Sequence, residues 1–404
     1  MNTEISQNFK AEIERELNGI LTWWITHTID EKNDGFYGAI DNHNKVIIDA
    51  AKGLVLNARI LYTFSSAYAL TKKEEYLKVS QRAFEYIQKY FADDLNGGFY
   101  WSVKENGEML DGKKQVYGQA FVIYAFAEYF KVSQDNDALS TAKKTFNLLE
   151  EYSFDKIHSG YLEAFTIDWN TIADLRLSDK DQNEKKTMNT HLHVIEAYAN
   201  LYTVWQNDEL KLAIKRLLIN FDEHIINKQS HHLNLFFTEA WEVKSSLVSF
   251  GHDIEAAWLL QEAAEVIHDE KEIDNFKSIA IKMTDAAASG LAKNGGLLYE
   301  FDFANNHWIN EFHWWPQAEA MVGFFNSWQI SNDDKYYHQT LQIWNFIKNH
   351  LKDYKNGEWF WGINEDHSIM QAEDKAGFWK CPYHNGRACI EILKRTSNGS
   401  FSKK

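Results

Sequence analysis

Two prolines in 404 residues, a glycine–aromatic segment that returns about every sixty residues, and an alternation of wholly apolar with one-sided helical stretches predict an all-α chain. Together they specify an (α/α)6 barrel with short extended hairpin segments between its helices. Proline at its usual frequency of about 5% would occur near twenty times, and each interior proline would break a helix by removing a donor and clashing with the preceding turn.

The repeat is read from NDGFYGAI, NGGFYWSV, HSGYLEAF, NGGLLYEF and NGEWFWGI, whose second letters fall at Asp34, Gly97, Ser159, Gly295 and Gly357. One gap has double length, and HHLNLFFTEAWEV (231–243) fills it without the glycine, making six units. After each glycine–aromatic turn comes a helix apolar almost all round, such as YGQAFVIYAFAEYF, HLHVIEAYANLYTVW, HDIEAAWLLQEAAEVI or PQAEAMVGFFNSWQI. A charged break follows, then a helix with a single apolar stripe, such as YLKVSQRAFEYIQKYF or IDNFKSIAIKMTDAA. All-round apolarity demands burial on every side, while a stripe leaves one face in water. Six buried helices therefore form an inner ring and six striped ones an outer ring.

The ends of the chain fit closure. The last buried stretch, HNGRACIEIL, has no outer partner after it, and the striped helix over 6–28 has no inner partner before it. Pairing them makes one domain over 1–404 with a tail from about 396; an open solenoid is the alternative.

Composition limits function. A formal charge of -16 repels phosphate backbones and anionic lipid, which disfavours nucleic-acid and membrane partners and suits a neutral ligand. Cys381 and Cys389 are too few for a disulfide framework, the N-terminus lacks a signal-peptide pattern, and no apolar run reaches transmembrane length. The expectation is a cytoplasmic, monomeric protein, for which the sequon-like Asn398-Gly399-Ser400 has no role.

Polar exceptions on the inner helices gather in their first turns: Arg59, Tyr117 and Gln119, Asn189 and His193, His252 and Glu255, Trp314, Trp315 and Glu319, His384 and Arg387. Parallel inner helices bring these ends to one pocket. His252 stands three residues before Glu255, so the carboxylate could fix its tautomer. Asp253 reads as a first-turn acid complementing the helix dipole, and Asn189 would also serve as a cap. His191, two residues from His193, points elsewhere and is structural. Arg59 on an apolar helix needs an anion or polar ligand, unless a salt bridge holds it. Trp379, in the irregular AGFWKCPYH stretch, is the tryptophan best placed to face a ligand, and a flat indole suits a sugar ring. No glycine-rich nucleotide loop or HExxH zinc pattern occurs, and His231–His232 lies in a connection, so no cofactor and no metal are expected. Histidines, a carboxylate, an arginine and tryptophan platforms suggest proton transfer on a neutral sugar.

GHDIEAAWLL, NTHLHVIEAYANLY, EFHWWPQAEAMVGF and KCPYHNGRACIEI resemble the N-acylglucosamine 2-epimerase superfamily, most closely its cellobiose 2-epimerases, over nearly the whole chain. The resemblance implies an (α/α)6 barrel and inversion at C2 of the reducing-end glucose of a β-1,4-linked disaccharide. It also implies His384 and His252 as acid and base, with Arg59, Asn189, His193 and Glu255 around the reacting sugar and Tyr117, Trp314, Glu319 and Trp379 lining the site; Trp315 joins them as a platform. The implied route runs through ring opening and a cis-enediolate stabilised by donors such as Arg59 and His193. Alternatives are an N-acylglucosamine 2-epimerase or a mannose epimerase/isomerase. From other classes come a glycoside hydrolase using Glu239, Glu255 or Glu319, and a non-catalytic glycan-binding protein.

Overall fold

Twelve α-helices alternate between two rings in the computed structural model, which describes residues 3–397. The expected tail beyond Ser397, with Asn398-Gly399-Ser400, lies outside the described residues. The inner helices are α2 (Leu54–Thr71), α4 (Val116–Ser133), α6 (Met188–Tyr202), α8 (Phe250–Val266), α10 (Trp314–Ser331) and α12 (Tyr383–Ser397). The outer ones are α1 (Thr3–Thr28), α3 (Glu74–Tyr86), α5 (Asn136–Leu148), α7 (Asp208–Asn220), α9 (Glu270–Ala287) and α11 (Asp334–Phe346). Each inner helix packs on the next, and α12 returns to pack on α2, so the inner ring is closed. The architecture is the (α/α)6 barrel.

Local sequence explains the division. In α4, residues Val116 to Tyr129 are all buried, whereas α1 buries Phe9, Ile13, Leu17, Ile20 and Trp24 at steps of three and four. The first and last helices pair: α1 packs on α12. It is also tied to the sixth unit through Trp344 Nε1 to Glu12 (2.6 Å), Trp359 Nε1 to Glu16 (2.7 Å) and Trp24 Nε1 to Glu358 (2.9 Å). Unlike its five counterparts, α12 is buried without being apolar, because it carries His384, Asn385 and Arg387 inside.

The glycine–aromatic segments form six equivalent turns closed by antiparallel bridges: Ile29 with Phe36, Ala92 with Phe99, Phe154 with Tyr161, Ile226 with Leu233, Leu291 with Leu297 and Lys352 with Trp359. The fourth bridge belongs to the unit that lacks glycine. Its left-handed position is taken by His231 (φ 61°), the counterpart of Asp34, Gly97, Ser159, Gly295 and Gly357, all of positive φ. In the first three turns an aspartate caps two backbone N–H groups with one oxygen and takes a buried lysine on the other: Asp30 with Lys52 (2.9 Å), Asp93 with Lys114 (2.7 Å) and Asp155 with Lys186 (2.7 Å). Asp353 with Lys375 repeats the arrangement in the sixth.

These turns are pinned by the inner helices. Gln119 accepts from Phe99 N (2.9 Å) and donates to Phe99 O (2.8 Å), and Gln317 does the same at Leu297 (2.7 and 2.8 Å). His191 Nε2 accepts from Tyr161 N (2.9 Å) while its Nδ1 donates to Thr187 O (2.6 Å), which fixes its tautomer. Asp253 accepts from Leu233 N (2.8 Å). Gly160 permits the close approach of His191: a Cβ there would stand 2.7 Å from Nε2 and 2.5 Å from Trp241. Two residues beyond each pinning side chain the helix has turned to its opposite face, and there the candidate site begins.

Candidate active site

Stepping two residues on from Asn57, Gln119, His191, Asp253, Gln317 and Asn385 gives Arg59, Phe121, His193, Glu255, Glu319 and Arg387, one from each inner helix. One residue before Asp253 on α8 and Asn385 on α12 stand His252 and His384. Residues separated by as many as 328 positions, Arg59 and Arg387, thus share one layer at the N-terminal ends of the inner ring.

Arg387 is the hub. Its Nη1 donates to Glu196 and to the Tyr383 hydroxyl, and its Nη2 donates to Glu255 and Glu319, both at 2.7 Å. Tyr383 also donates to Glu196 (2.5 Å). One guanidinium on α12 therefore gathers carboxylates from α6, α8 and α10. Three acids around one buried cation leave excess negative charge. Burial and the charge of Glu319 push the Glu255 carboxyl up to about 7, and burial also raises Glu319 against the pull of Arg387. At Glu196 burial is outweighed by Arg387, His193 and Tyr383, which hold it down at about 2.

Three imidazoles face this network, each held through Nδ1. His384 Nδ1 meets Glu319 Oε1 at 2.6 Å, His193 Nδ1 meets Glu196 Oε2 at 2.8 Å, and His252 Nδ1 meets the Ser249 hydroxyl at 2.8 Å. Among the described residues no hydrogen-bond partner occupies any of the three Nε2 atoms. Burial, with His193 nearby, lowers His252 to about 3; burial, Arg59 and Arg387 hold His384 well below the ordinary imidazole range. Both are neutral at neutral pH. Their rings flank one indole, Trp315, at centroid distances of 4.6 Å for His252 and 5.7 Å for His384.

Arg59 has no carboxylate within ion-pairing distance among the described residues. Its Nη2 donates to Tyr117 Oη (2.7 Å), its Nε has no partner, and its guanidinium lies over Phe121 (4.3 Å) and Tyr383 (4.7 Å). At 3% exposure such a cation is poised for a ligand oxygen. Asn189 does not cap α6; Thr187 does, accepting from Thr190 N, and Asn189 Oδ1 is buried without a partner. Trp314 is buried behind the layer against Trp361 (4.4 Å), so it supports the wall, whereas Trp315 and Trp379 are half-buried and Trp379 lies beside Tyr117 and Trp101. Glu255, Glu319 and His384 have ligand atoms within 4.8 Å of one another, a spacing that suits a cation, and Arg387 already bonds both carboxylates. Glu239 is exposed, in the turn between Phe237 and Val243.

The family model described as N-acylglucosamine 2-epimerase (GlcNAc 2-epimerase) matches residues 35–388. The chain belongs to that family. It is 46% identical to the cellobiose 2-epimerase of Bacteroides fragilis, over 95% of this chain and 98% of the relative, and 37% identical to that of Dictyoglomus turgidum, over 96% and 98%. The solved structure of the cellobiose 2-epimerase from Bacillus thermoamylovorans superposes with a TM-score of 0.92 at 37% identity, covering 96% of this chain and 100% of that one. The chain is a carbohydrate epimerase, an enzyme of the isomerase class.

Within this epimerase the expected pairing of His252 with Glu255 does not form. Glu255 bonds Arg387 through one oxygen and leaves the other without a partner, and His252 bonds Ser249 instead. The same three-residue spacing forms its bond one helix earlier, between His193 and Glu196. Glu196, Tyr383 and Ser249 carried no sequence signal beyond that spacing, and Arg387 was visible only as a polar exception on α12. No helix among the described residues is long and apolar enough to cross a membrane.

Proposed function

We propose that this epimerase inverts C2 of the reducing-end glucose of β-1,4-linked disaccharides, converting cellobiose to 4-O-β-D-glucosyl-D-mannose and lactose to epilactose, with His384 and His252 as the reacting pair. The observation that carries the reading is that two neutral imidazoles stand beside one indole, Trp315, each bonded through Nδ1 with Nε2 unengaged. Glu319 accepts the Nδ1 proton of His384, which leaves the lone pair on Nε2 to act as a base.

The sugar ring opens first, since only the free aldehyde acidifies the C2 hydrogen. His384 removes that hydrogen as a proton, and the resulting cis-enediolate is stabilised by the uncompensated Arg59 guanidinium and by the inner-helix N-termini facing it. His252, once charged by a proton taken from water, delivers it to the opposite face of C2, His384 releases the abstracted proton to water, and ring closure gives the mannose epimer. Tyr117, Asn189, Glu255, Trp315 and Trp379 bound the space in which the sugar sits, with Trp314 behind them. All of these side chains come from one chain, so the reading takes the monomer as the active unit in the cytoplasm.

The test is incubation with cellobiose, lactose, mannose and N-acetylglucosamine in heavy water, followed by chromatography and mass analysis. The expected result is epimerised disaccharide carrying deuterium at C2. A product without that deuterium excludes the enediolate, and turnover confined to the monosaccharides moves the substrate assignment to another branch of the family.

A further inference from the structure

The position that follows Asp34, Gly97, Ser159, His231, Gly295 and Gly357 is glycine in four of the six turns: Gly35, Gly98, Gly160 and Gly296. A Cβ at Gly98 would stand 2.9 Å from Gln119 Oε1, and one at Gly160 would stand 2.7 Å from His191 Nε2, so a side chain is excluded where the pinning residue comes close. The two exceptions are His232 in the fourth turn and Glu358 in the sixth. These are the units whose inner helices carry His252 and His384. Both side chains bond the pinning residue that stands next to the histidine in sequence. His232 Nδ1 meets Asp253 Oδ2 at 2.6 Å, and Glu358 Oε1 accepts from Asn385 Nδ2 at 2.6 Å.

We propose that Glu358 and His232 are positioning residues for the reacting pair, Glu358 holding His384 through Asn385 and His232 holding His252 through Asp253. The inference rests on the C2-epimerase reading above. Glu358 bears two costs at once. Its backbone takes φ 61°, a region that L side chains enter under strain and that Gly98 and Gly160 occupy freely in the equivalent turns. Its carboxylate is also buried, which demands desolvation. Against these stand four hydrogen bonds: Oε1 accepts from Trp359 N (3.0 Å), Lys380 Nζ (3.1 Å) and Asn385 Nδ2 (2.6 Å), and Oε2 accepts from Trp24 Nε1 (2.9 Å). Backbone strain held in place by so many contacts marks a point whose geometry has to be kept.

The sixth unit shows what the glutamate holds. In the first three units the lysine that pairs with the turn stands two residues before its inner helix: Lys52 before Leu54, Lys114 before Val116 and Lys186 before Met188. Lys375 stands eight residues before Tyr383, so six extra residues separate the sixth ion pair from α12, and Trp379 is among them. Lys380 anchors that excess. Its wholly buried ammonium donates to Glu358, and Asn385 ties the first turn of α12 to the same oxygen. One carboxylate thus sets both the segment that carries Trp379 and the helix end that carries His384. In the fourth unit Asp253 gives one oxygen to Leu233 N (2.8 Å), as a pinning residue does, and the other to His232, so the turn of α8 beside His252 is held from two sides. Displacing a reacting group by about 1 Å can cost ~10²-fold in rate, which makes the backbone next to each histidine the place where a small error matters.

The test uses Glu358→Gln and His232→Ala in heavy water. Each should lower kcat by ~10- to ~10²-fold with little change in KM. The deciding readout is where deuterium appears, because the enediolate divides between return to its parent sugar and passage to the epimer, and a displaced histidine slows only its own face of C2. From cellobiose, His232→Ala should raise deuterated cellobiose relative to epimer. From the mannose epimer, Glu358→Gln should raise deuterated epimer relative to cellobiose. His232→Asn, which restores an N–H toward Asp253, should bring back the wild-type ratio. A merely structural role would reduce the amount of folded enzyme and leave both ratios at their wild-type values; that result, or an unchanged kcat, overturns the proposal. The His232 side chain is 12% exposed, so its variants stand in if Glu358→Gln misfolds around an unpaired Lys380. Failure of the wild type itself to place deuterium at C2 of either sugar would instead overturn the epimerase chemistry, so the two failures are distinct.

Discussion

His384 and His252 differ in what grips their Nδ1 atoms, a buried carboxylate in one and a hydroxyl in the other, and the difference predicts unequal roles. Replacing either by alanine should lower kcat by ~10²–10⁴-fold, the usual range for a general acid or base, with substrate binding affected less. Steady-state kinetics on cellobiose checks this, and a variant of near-normal rate leaves the mechanism without that residue. Glu255 makes a second prediction. Its folded carboxyl titrates at about 7 against an ordinary 4.5, so between those values the folded chain binds more protons than the unfolded one. Stability from this group is therefore lost as pH rises through that window. Glu255→Gln, which keeps an oxygen for Arg387 but cannot ionise, should lose less melting temperature than wild type between pH 5 and pH 8. An equal loss in both proteins would show that Glu255 is already ionised at the lower pH. At this scale the sequence was legible wherever a polar residue interrupted an apolar helix, as with Arg59, His193, His252 and His384. It was silent on which acid pairs with which base, because spacing places Glu255 and Glu196 identically and Arg387 bonds both, while only Glu196 turns its second oxygen to a histidine.

Among the elements, the six turns were legible through their glycines and aromatics, and the fourth through its position alone. His231 shows why: the backbone there adopts φ 61°, as at Asp34 and Ser159, but with no glycine following it. A non-glycine residue in the left-handed region costs roughly 1–2 kcal/mol, and glycine recovers this less about 0.5–1 kcal/mol of chain entropy. His231→Gly should therefore raise stability by up to about 1 kcal/mol, read as a higher denaturant midpoint, while Gly160→Ala should lower it, since its Cβ would meet Trp241 at 2.5 Å. A destabilised His231→Gly would mean the imidazole supplies contacts that outweigh the strain. Helix ends were less legible. The stripe over 76–91 reads as one helix, yet α3 stops at Tyr86 and widens into a π-turn over Ile87–Phe91, as α5, α7 and α11 do at their own ends. The periodicity continues through a π-turn because the apolar residues keep facing the core, so the sequence gives no mark of the change.

Across the whole molecule, ring closure was legible from two unpartnered stretches at opposite ends of the chain, and α1 does pack on α12. Removing residues 1–28 should uncover the outer side of α12, orphan Glu358 from Trp24 and Trp359 from Glu16, and so loosen the helix that carries His384 and Arg387. The expected result is loss of epimerisation with exposed apolar surface, measured by dye binding and activity; an active truncated chain would show that the inner ring closes unaided. Arg387 adds a consequence for biosynthesis. During translation Glu196, Glu255 and Glu319 leave the ribosome long before their shared cation does, and three anions cannot be desolvated together without it. The nascent polypeptide must keep its centre hydrated and open until its final helix has emerged, so a prematurely terminated product carries no half-built catalytic chamber and remains an accessible target for cellular proteases.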